Sequence, residues 1–377
     1  MNKLTRTQLT TMQLFIIMLL SSLFVTLMYM SPTGFKMNSS DLMLQIIIGA
    51  VLTFITAIPA YLLIRDDNSQ GLLKRCDDAS TAFGKTTAVI FLVAFLFWSM
   101  RTLVRFDVFV STVIFPESDV RLFLLILVVC SLYSVIMGID VLGRTAQIFV
   151  TLVAFSIIFV MVSTANRLSI TNFTPMMYDG FYRPFQAGVS TMASCIELTY
   201  PLIFKDKIKS KPIVCVFPWV GVIMSILLVL TFWGAGVLGD FSNTQLFPVF
   251  SLTTLTSVGF LERLDVFLTA AWVVCVFVKI AICINIVQIC IVEIFKSLSE
   301  KKAMIISAVV ISILALMIRE SYTTKAFVSN ISAAVTVYAI IVVLVPVILI
   351  SAEKMKKKAS GNPEEGRGFL SEKKELY

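Results

Sequence analysis

The chain of 377 residues contains no histidine, and only 14% of its residues are charged. The absence of histidine excludes histidine-ligated haem, the H-E-x-x-H zinc proteases and any Ser-His triad. The seven cysteines form no C-x-x-C pair, and most lie in apolar runs, where we expect small packing residues rather than metal ligands or disulfides. We therefore expect no cofactor, no metal and no catalytic residues.

Hydrophobic residues are abundant instead, at 58% of the chain, and the mean hydropathy is +0.93. No aqueous domain buries so much apolar surface, whereas a bilayer accommodates it in helices of about 20 residues. The first run is too long for the apolar core of a signal peptide and is expected to be a retained helix. The pattern predicts an all-α polytopic membrane protein with ten transmembrane helices at about 11–30, 42–64, 86–114, 121–138, 143–164, 185–204, 212–238, 264–294, 303–318 and 328–350.

The basic residues fall mainly on alternate sides of these spans. With the N-terminus inside, 21 of the 31 lysines and arginines lie on the cytoplasmic side and seven outside. This bias predicts that both termini are cytoplasmic. It also explains the net charge of +8 as a topology signal beside anionic membrane lipids, so no nucleic-acid partner is expected. Residues 351–377 are charged and are predicted to form a disordered cytoplasmic tail.

The sixth span is the least ordinary predicted helix. Its polar and helix-breaking residues recur at helical spacing and share a face: Ser190, Ser194, Glu197 and Pro201. Pro201 has no N–H for the carbonyl of Glu197, and Gly188 should loosen the preceding turn. A weakened helix that carries hydroxyls and a carboxylate predicts a ligand-binding break, because intramembrane carboxylates are costly and usually functional. Close packing against neighbouring helices is the alternative.

Three other spans carry polar residues at depth. Ser21 and Ser22, adjacent in the first span, would mark either a bend or break, or a site of interhelical packing, and both interpretations stay open. In the third span Trp98 and Arg101 share a face, and Arg101 is harder to explain by snorkelling than residues nearer the interface. In the eighth span Lys279 lies near the bilayer centre, where a charge costs roughly 2.5–3.5 kcal/mol, so packing alone does not account for it.

The irregular helices suggest two halves. Ten spans divide into sets of five, and an odd number per set predicts a 5+5 inverted repeat over about 11–164 and 185–350, within a permease-like domain of residues 1–350. The weakened helices come first in each set, which is the transporter-like layout with a binding site at the membrane midplane. Broken helices offer N–H groups that suit a carboxylate. The predicted ligand-binding residues are Ser21, Ser22, Trp98, Arg101, Gly188, Ser190, Thr191 and Ser194.

The second long outside loop, which ends just before the eighth span, has substantial apolar content. We expect it to fold down as short helices and to act as a lid. Glu262, Arg263 and Asp265 alternate in sign at the membrane edge. They would either latch this lid to neighbouring helices or serve as ordinary interfacial charges, since exposed pairs contribute only about 0–1 kcal/mol. We retain them as candidate gating residues.

Four stretches carry a family resemblance: T-P-M-M-Y-D-G-F before the sixth span, E-L-T-Y-P-L-I-F at its end, N-T-Q-L-F-P-V-F-S-L in the second outside loop, and F-L-E-R-L-D-V-F at the eighth span. In these the chain resembles the B-subunit permeases of bacterial spore germinant receptors, a branch of the amino acid–polyamine–organocation superfamily. That family usually has a glycine-rich break followed by proline in the first span, where this chain has Ser21 and Ser22 and no glycine.

The resemblance implies a subunit of the spore inner membrane that binds a small nutrient, often an amino acid, and triggers germination. It implies two protein partners, a larger membrane subunit and a lipoprotein subunit. A stand-alone amino acid permease, with proton coupling as an option, is the alternative. A membrane enzyme is a third class, and no pairing of nucleophile and base supports it.

The resemblance also bears on Lys279. In relatives that use sodium, a cation sits between the first and eighth helices, and a lysine placed there can substitute for it. Lys279 would then lie beside the first span and couple the site to protonation. The rival interpretation is a purely structural pair with Glu197. Both interpretations stay open, and both residues are candidate coupling residues.

Overall fold

The computed structural model describes residues 8–27, 39–66, 69–114, 119–173, 180–209, 212–254, 265–320 and 322–359. Helix dominates these ranges, and they contain no β-strand. The α-helices are α1 (Thr11–Leu27), α2 (Ser39–Arg65), α3 (Leu72–Ala79), α4 (Thr81–Phe109), α5 (Arg121–Met137), α6 (Ile139–Thr164), α7 (Tyr182–Ala193), α8 (Tyr200–Ile203), α9 (Ile213–Leu238), α10 (Pro248–Thr254), α11 (Asp265–Ile294), α12 (Glu300–Glu320), α13 (Tyr322–Ser329), α14 (Ile331–Tyr338) and α15 (Val345–Ala359). Short π-helical segments, Val110–Ile114 and Ala339–Leu344, extend α4 and join α14 to α15.

The all-helical membrane class predicted from the apolar runs is confirmed. Within the described ranges, six helices are long and apolar enough to cross a membrane: Ser40–Arg65, Thr81–Ile114, Ile139–Arg167, Ile213–Leu238, Asp265–Ile294 and Ile331–Lys356. Helix also lies at each of the other predicted runs, including the shorter apolar helices α1 and α5. The chain is therefore a multi-pass membrane protein.

Helix α11 forms the centre of the bundle. It contacts α1, α4, α5, α6 and α12, and 83% of its most apolar stretch is buried inside the protein, compared with 22% for α6. A helix that is apolar all round is stable in such a central position because every face meets another helix. Lys279 and Trp272 of α11 are both fully buried. A lysine on the most enclosed helix needs a partner, which the site below supplies.

The described part of the second outside loop, residues 239–254, folds into a 3₁₀ segment (Gly239–Thr244) and α10, as the sequence predicted. Aromatic side chains hold it to α4 and α11. The Phe247 ring lies 5.3 Å from that of Phe109, and the Phe250 ring lies 5.8 Å from that of Trp272, centroid to centroid. Such contacts are worth about 0.5–1.5 kcal/mol each beyond area burial. Its role as a lid stays a prediction.

Two other predictions concern the ends of segments. Glu262 and Arg263 lie outside the described residues, and Asp265 begins α11. Residues 351–359, assigned from composition to a disordered tail, instead continue α15 as helix. Two contacts with the α3 region hold this extension, from Glu353 to Arg75 and from Lys356 to a backbone carbonyl.

Candidate functional site

The sixth predicted span is broken, which confirms the interruption expected there. Helix α7 ends at Ala193, Cys195 takes non-helical angles (φ −93°, ψ 46°), and a 3₁₀ turn (Ile196–Thr199) leads into α8. We call residues 182–203 the broken helix. The N–H of Ser194 donates to the carbonyl of Thr191 at 3.1 Å and that of Cys195 donates to the carbonyl of Met192 at 3.0 Å. These bonds reach back three residues rather than four, so the α-helical pattern ends here.

The break lies after Ser194, not at Gly188. Helix α7 is regular through Gly188, so the expectation that this glycine loosens the helix is wrong. Its hydrogen instead permits close packing on α2, because a Cβ there would lie 2.8 Å from Cγ2 of Ile48. Pro201 stands in the first turn of α8, where a missing N–H costs nothing. The hydroxyl of Ser194 donates to the carbonyl of Ser190 at 3.0 Å, and this bond helps to end α7.

A buried ion pair lies just beyond the break. Nζ of Lys279 is 2.7 Å from Oε1 of Glu197, and both side chains are fully buried. Ser21 joins the pair from α1: its hydroxyl donates to Oε1 of Glu197 at 2.9 Å, and its carbonyl accepts from Nζ of Lys279 at 3.3 Å. Tyr200 completes the group, with its hydroxyl 3.0 Å from that of Ser21. We call Glu197 and Lys279 the buried pair.

The first span supplies Ser21 without being broken. Helix α1 runs continuously from Thr11 to Leu27, so the structure supports packing rather than a break at Ser21 and Ser22. The hydroxyl of Ser22 donates to the carbonyl of Met18 within the helix. With no glycine or proline at this point, α1 stays helical, and Ser21 contributes both its hydroxyl and its carbonyl to the buried pair.

Trp98 of α4 lies between two cations. Nζ of Lys279 is 6.0 Å from the centroid of the Trp98 ring, and Cζ of Arg101 is 5.7 Å from the same ring. Such positions over an indole are attractive to cations. Nη1 of Arg101 also donates to the carbonyl of Val328 in α13 at 2.6 Å. The predicted residue Trp98 therefore contacts Lys279 of the buried pair, and Arg101 contacts Trp98.

The remaining predicted binding residues serve the helices themselves. Thr191 donates to the carbonyl of Ala187 at 3.1 Å, and its side chain packs where Gly49 of α2 leaves room. Gly188 faces α2 as well. The structure thus places Ser21 and Trp98 at the buried pair and Arg101 against Trp98. It gives backbone or packing contacts to the others, Ser22, Gly188, Ser190, Thr191 and Ser194.

Three buried polar atoms of this site have no hydrogen-bond partner among the described residues. They are Oε2 of Glu197, Nε1 of Trp98 and Nε of Arg101. One is an acceptor and two are donors. Buried polar groups are normally paired, so these atoms are where a polar ligand would be stabilised most.

Sequence reasoning missed two tyrosines. Tyr200 follows Glu197 by three residues and shares its helical face, so the same spacing argument could have found it. Tyr338 has no such signal. It precedes the second π-helical segment, and its hydroxyl lies 2.7 Å from that of Thr56 on α2. Only the fold brings Tyr338 and Thr56 together, since they are far apart in the chain.

The fold is that of helical secondary transporters. The structure matches Mhp1, a nucleobase-cation-symport-1 family transporter, with a TM-score of 0.63 at 12% identity, covering 89% of this chain and 78% of Mhp1. It matches a Na⁺-coupled sialic acid symporter with a TM-score of 0.61 at 10% identity, covering 89% of this chain and 79% of the symporter. Identities this low establish the fold alone. The protein is thus a transporter-like membrane protein.

The sequence profile of the spore germination protein family matches residues 8–324. The chain therefore belongs to that family, and the resemblance noted in its motifs is confirmed. It is also 22% identical over 238 residues to YfkT of Bacillus subtilis (strain 168), which carries the name of a spore germination protein. That match covers 61% of this chain and 66% of YfkT, so it spans just under two thirds of this curated relative. Family and fold are those of permeases, not of known enzymes.

Proposed function

We propose that the chain is the membrane subunit of a spore germinant receptor, which binds a small nutrient between α1, α4, α11 and the broken helix and thereby triggers germination. The proposal includes ten transmembrane spans in a 5+5 inverted repeat, both termini in the cytoplasm, and the spore inner membrane as location. It also includes the two partners implied by the family, a larger membrane subunit and a lipoprotein subunit.

The observation that carries the proposal is the set of unpartnered polar atoms beside the helix break. An amino acid carries a carboxylate, which accepts hydrogen bonds from N–H groups such as those of Trp98 and Arg101. It also carries an ammonium group, which donates to an acceptor such as Oε2 of Glu197. An amino acid is therefore the nutrient class that this chemistry favours.

A stand-alone amino acid permease is the second candidate. The transporter fold favours it, and so does the buried pair, because intramembrane lysines and glutamates often lie on proton pathways of transporters. The two candidates differ in turnover: a permease moves its solute across the membrane, whereas a receptor needs only to bind it and change conformation.

The test uses the purified full-length protein reconstituted in proteoliposomes. Equilibrium binding of each radiolabelled L-amino acid is measured first, and uptake into the vesicles second. Trp98→Leu should weaken binding at least tenfold, about 1.4 kcal/mol, while the exposed Tyr133→Leu on α5 is the matched control and should bind as wild type does. Binding without uptake supports the receptor, and uptake supports the permease. No binding of any amino acid contradicts the proposed nutrient class.

A further inference from the structure

A buried arginine, Arg75 of α3, lies at the end of the bundle that is predicted to face the cytoplasm. Its side chain is 3% exposed. Nε and Nη2 donate to the two carboxylate oxygens of Glu353 in α15, at 2.9 and 2.7 Å. Nη2 also contacts Asp66 at 3.0 Å, and Nη1 donates to the carbonyl of Leu63 in α2 at 2.8 Å. This two-pronged bond is strong and geometrically specific, so Arg75 fixes α15 to α2 and α3.

The broken helix reaches the same place. Lys205 follows α8, and its Nζ donates to the carbonyl of Leu63 at 3.1 Å and to that of Asp66 at 2.7 Å. The Leu63 carbonyl thus accepts from both Arg75 and Lys205. All residues of α8 and of the 3₁₀ turn before it are buried. Glu197 of the buried pair and Lys205 are thus joined by a short, buried segment. Through Lys205 this segment contacts Leu63 and Asp66, which are also partners of Arg75.

Two backbone contacts tighten this arrangement. A Cβ at Gly71, just before α3, would lie 2.8 Å from the carbonyl oxygen of Ile203, so only glycine lets α3 begin this close to the broken helix. The N–H of Leu9 donates to the carbonyl of Lys207 at 2.8 Å, and the N–H of Lys209 donates back to Leu9 at 3.0 Å. The segment just before α1 is therefore tied to the segment just after the broken helix, in addition to the contacts at the buried pair.

We propose that Asp66, Arg75, Lys205 and Glu353, here called the Arg75 latch, transmit the state of the buried pair to the C-terminal helix α15. A displacement of Glu197 moves α8 and withdraws Lys205 from Leu63 and Asp66. Closely packed interiors pass on such shifts rather than absorb them. Arg75 then loses its fixed partners, and Glu353 is released with the end of α15. The proposal concerns the protein alone and stands whether or not an amino acid is the ligand.

Cys76, next to Arg75, is a natural reporter of the latch. Its side chain is fully buried, and burial raises the pKa of its thiol from 9.0 to about 12, with Arg75 and Glu353 within electrostatic reach. The thiolate is the reactive form of cysteine, so this thiol is inert near neutral pH until the latch opens. Cys290 of α11 is equally buried and reports whether the bundle itself has opened.

Spatial contact alone does not establish coupling, so the experiment perturbs the buried pair and reads the latch. The purified full-length protein in nanodiscs is treated with N-ethylmaleimide near neutral pH, and labelling of Cys76 and Cys290 is followed by mass spectrometry. Glu353→Gln breaks the latch directly, and Glu197→Gln breaks the buried pair. Both should speed labelling of Cys76 at least about tenfold, as loss of a charged hydrogen bond predicts. The exposed Glu300→Gln is the matched control and should behave as wild type does.

The results separate the possibilities. Faster labelling of Cys76 in both variants, with Cys290 unlabelled, supports the proposal. A response to Glu353→Gln alone, or to neither variant, overturns it, because the latch would then be independent of the buried pair. Labelling of Cys290 in Glu353→Gln also overturns it. If Glu197→Gln exposes Cys290, the variant Ser21→Ala is used in place of Glu197→Gln, because it removes one donor to Glu197 and keeps the ion pair. In Ser21→Ala, Cys76 must then be labelled faster while Cys290 stays unlabelled.

Discussion

Replacing Lys279 with methionine tests the buried pair most directly. Methionine keeps an unbranched stem of similar length but removes the ammonium that Glu197 contacts at 2.7 Å and the Ser21 carbonyl at 3.3 Å. The Glu197 carboxylate then stays fully buried, and among the described residues the Ser21 hydroxyl is its remaining donor. Removing one member of a buried pair costs about 3–5 kcal/mol. We expect a loss of this size in the free energy of unfolding.

The double variant Lys279→Met/Glu197→Gln separates charge from packing. It leaves no charge at either position, and the amide oxygen introduced at position 197 would still accept from Ser21, so most of the lost stability should return. The coupling energy between the two positions should exceed about 2 kcal/mol in a double-mutant cycle. Unfolding of the purified proteins by denaturant in detergent measures it. If the double variant loses as much unfolding free energy as the two single variants added together, the pair is not a stabilising interaction.

The single variant Lys279→Met also distinguishes the two roles proposed for Lys279. If the lysine couples the site to protonation, Lys279→Met should be present in the membrane, be independent of sodium, and fail to respond to ligand or pH. If the pair is structural, the variant should be lost from the membrane. Immunoblots of membrane fractions and ligand binding across a pH series measure both outcomes. Wild-type behaviour in both respects refutes both roles.

Three further predictions concern the surroundings of the pair. Ser21→Ala should cost about 1–3 kcal/mol of unfolding free energy, because Glu197 loses a buried donor; Ser163→Ala, whose hydroxyl donates within its own helix, is the control. Gly188→Ala should cost about 1–3 kcal/mol by overpacking against Ile48, and unchanged unfolding would contradict that contact. Arg263→Glu should impair the nutrient response at a normal amount of protein, whereas an unchanged response would favour ordinary interfacial charge.

The helices and their break follow from local signals in the sequence. Apolar runs must be helical in a membrane because the backbone has no other source of hydrogen bonds, and this rule located α1 and α11 without any knowledge of contacts. Pro201 and the nearby hydroxyls indicated the broken span. The position of the break was misjudged because a glycine has two uses, flexibility and close approach, and only the neighbouring helix shows that Gly188 serves the second.

The partners of the polar residues could not be predicted in the same way. Lys279 and Glu197 were each recognisable as costly charges, and their pairing was one of two interpretations, but nothing in the sequence placed Ser21 between them. Arg75 is one of the 21 lysines and arginines that the sequence analysis counted only as topology signals on the cytoplasmic side. Its burial against Glu353 depends on α15 continuing past residue 350, where the last predicted span ends, and a charged segment gives no local sign of that.

The geometry also joins the two interpretations of Lys279. One placed its ammonium beside the first span, and the other paired it with Glu197. In the structure a single ammonium contacts the Ser21 carbonyl and the Glu197 carboxylate. Because Ser21 also donates to Glu197, these three residues close a ring that joins α1, α11 and the broken helix. Loss of either charge of the pair must therefore loosen two helix contacts together, so that all three helices depend on this one group of residues.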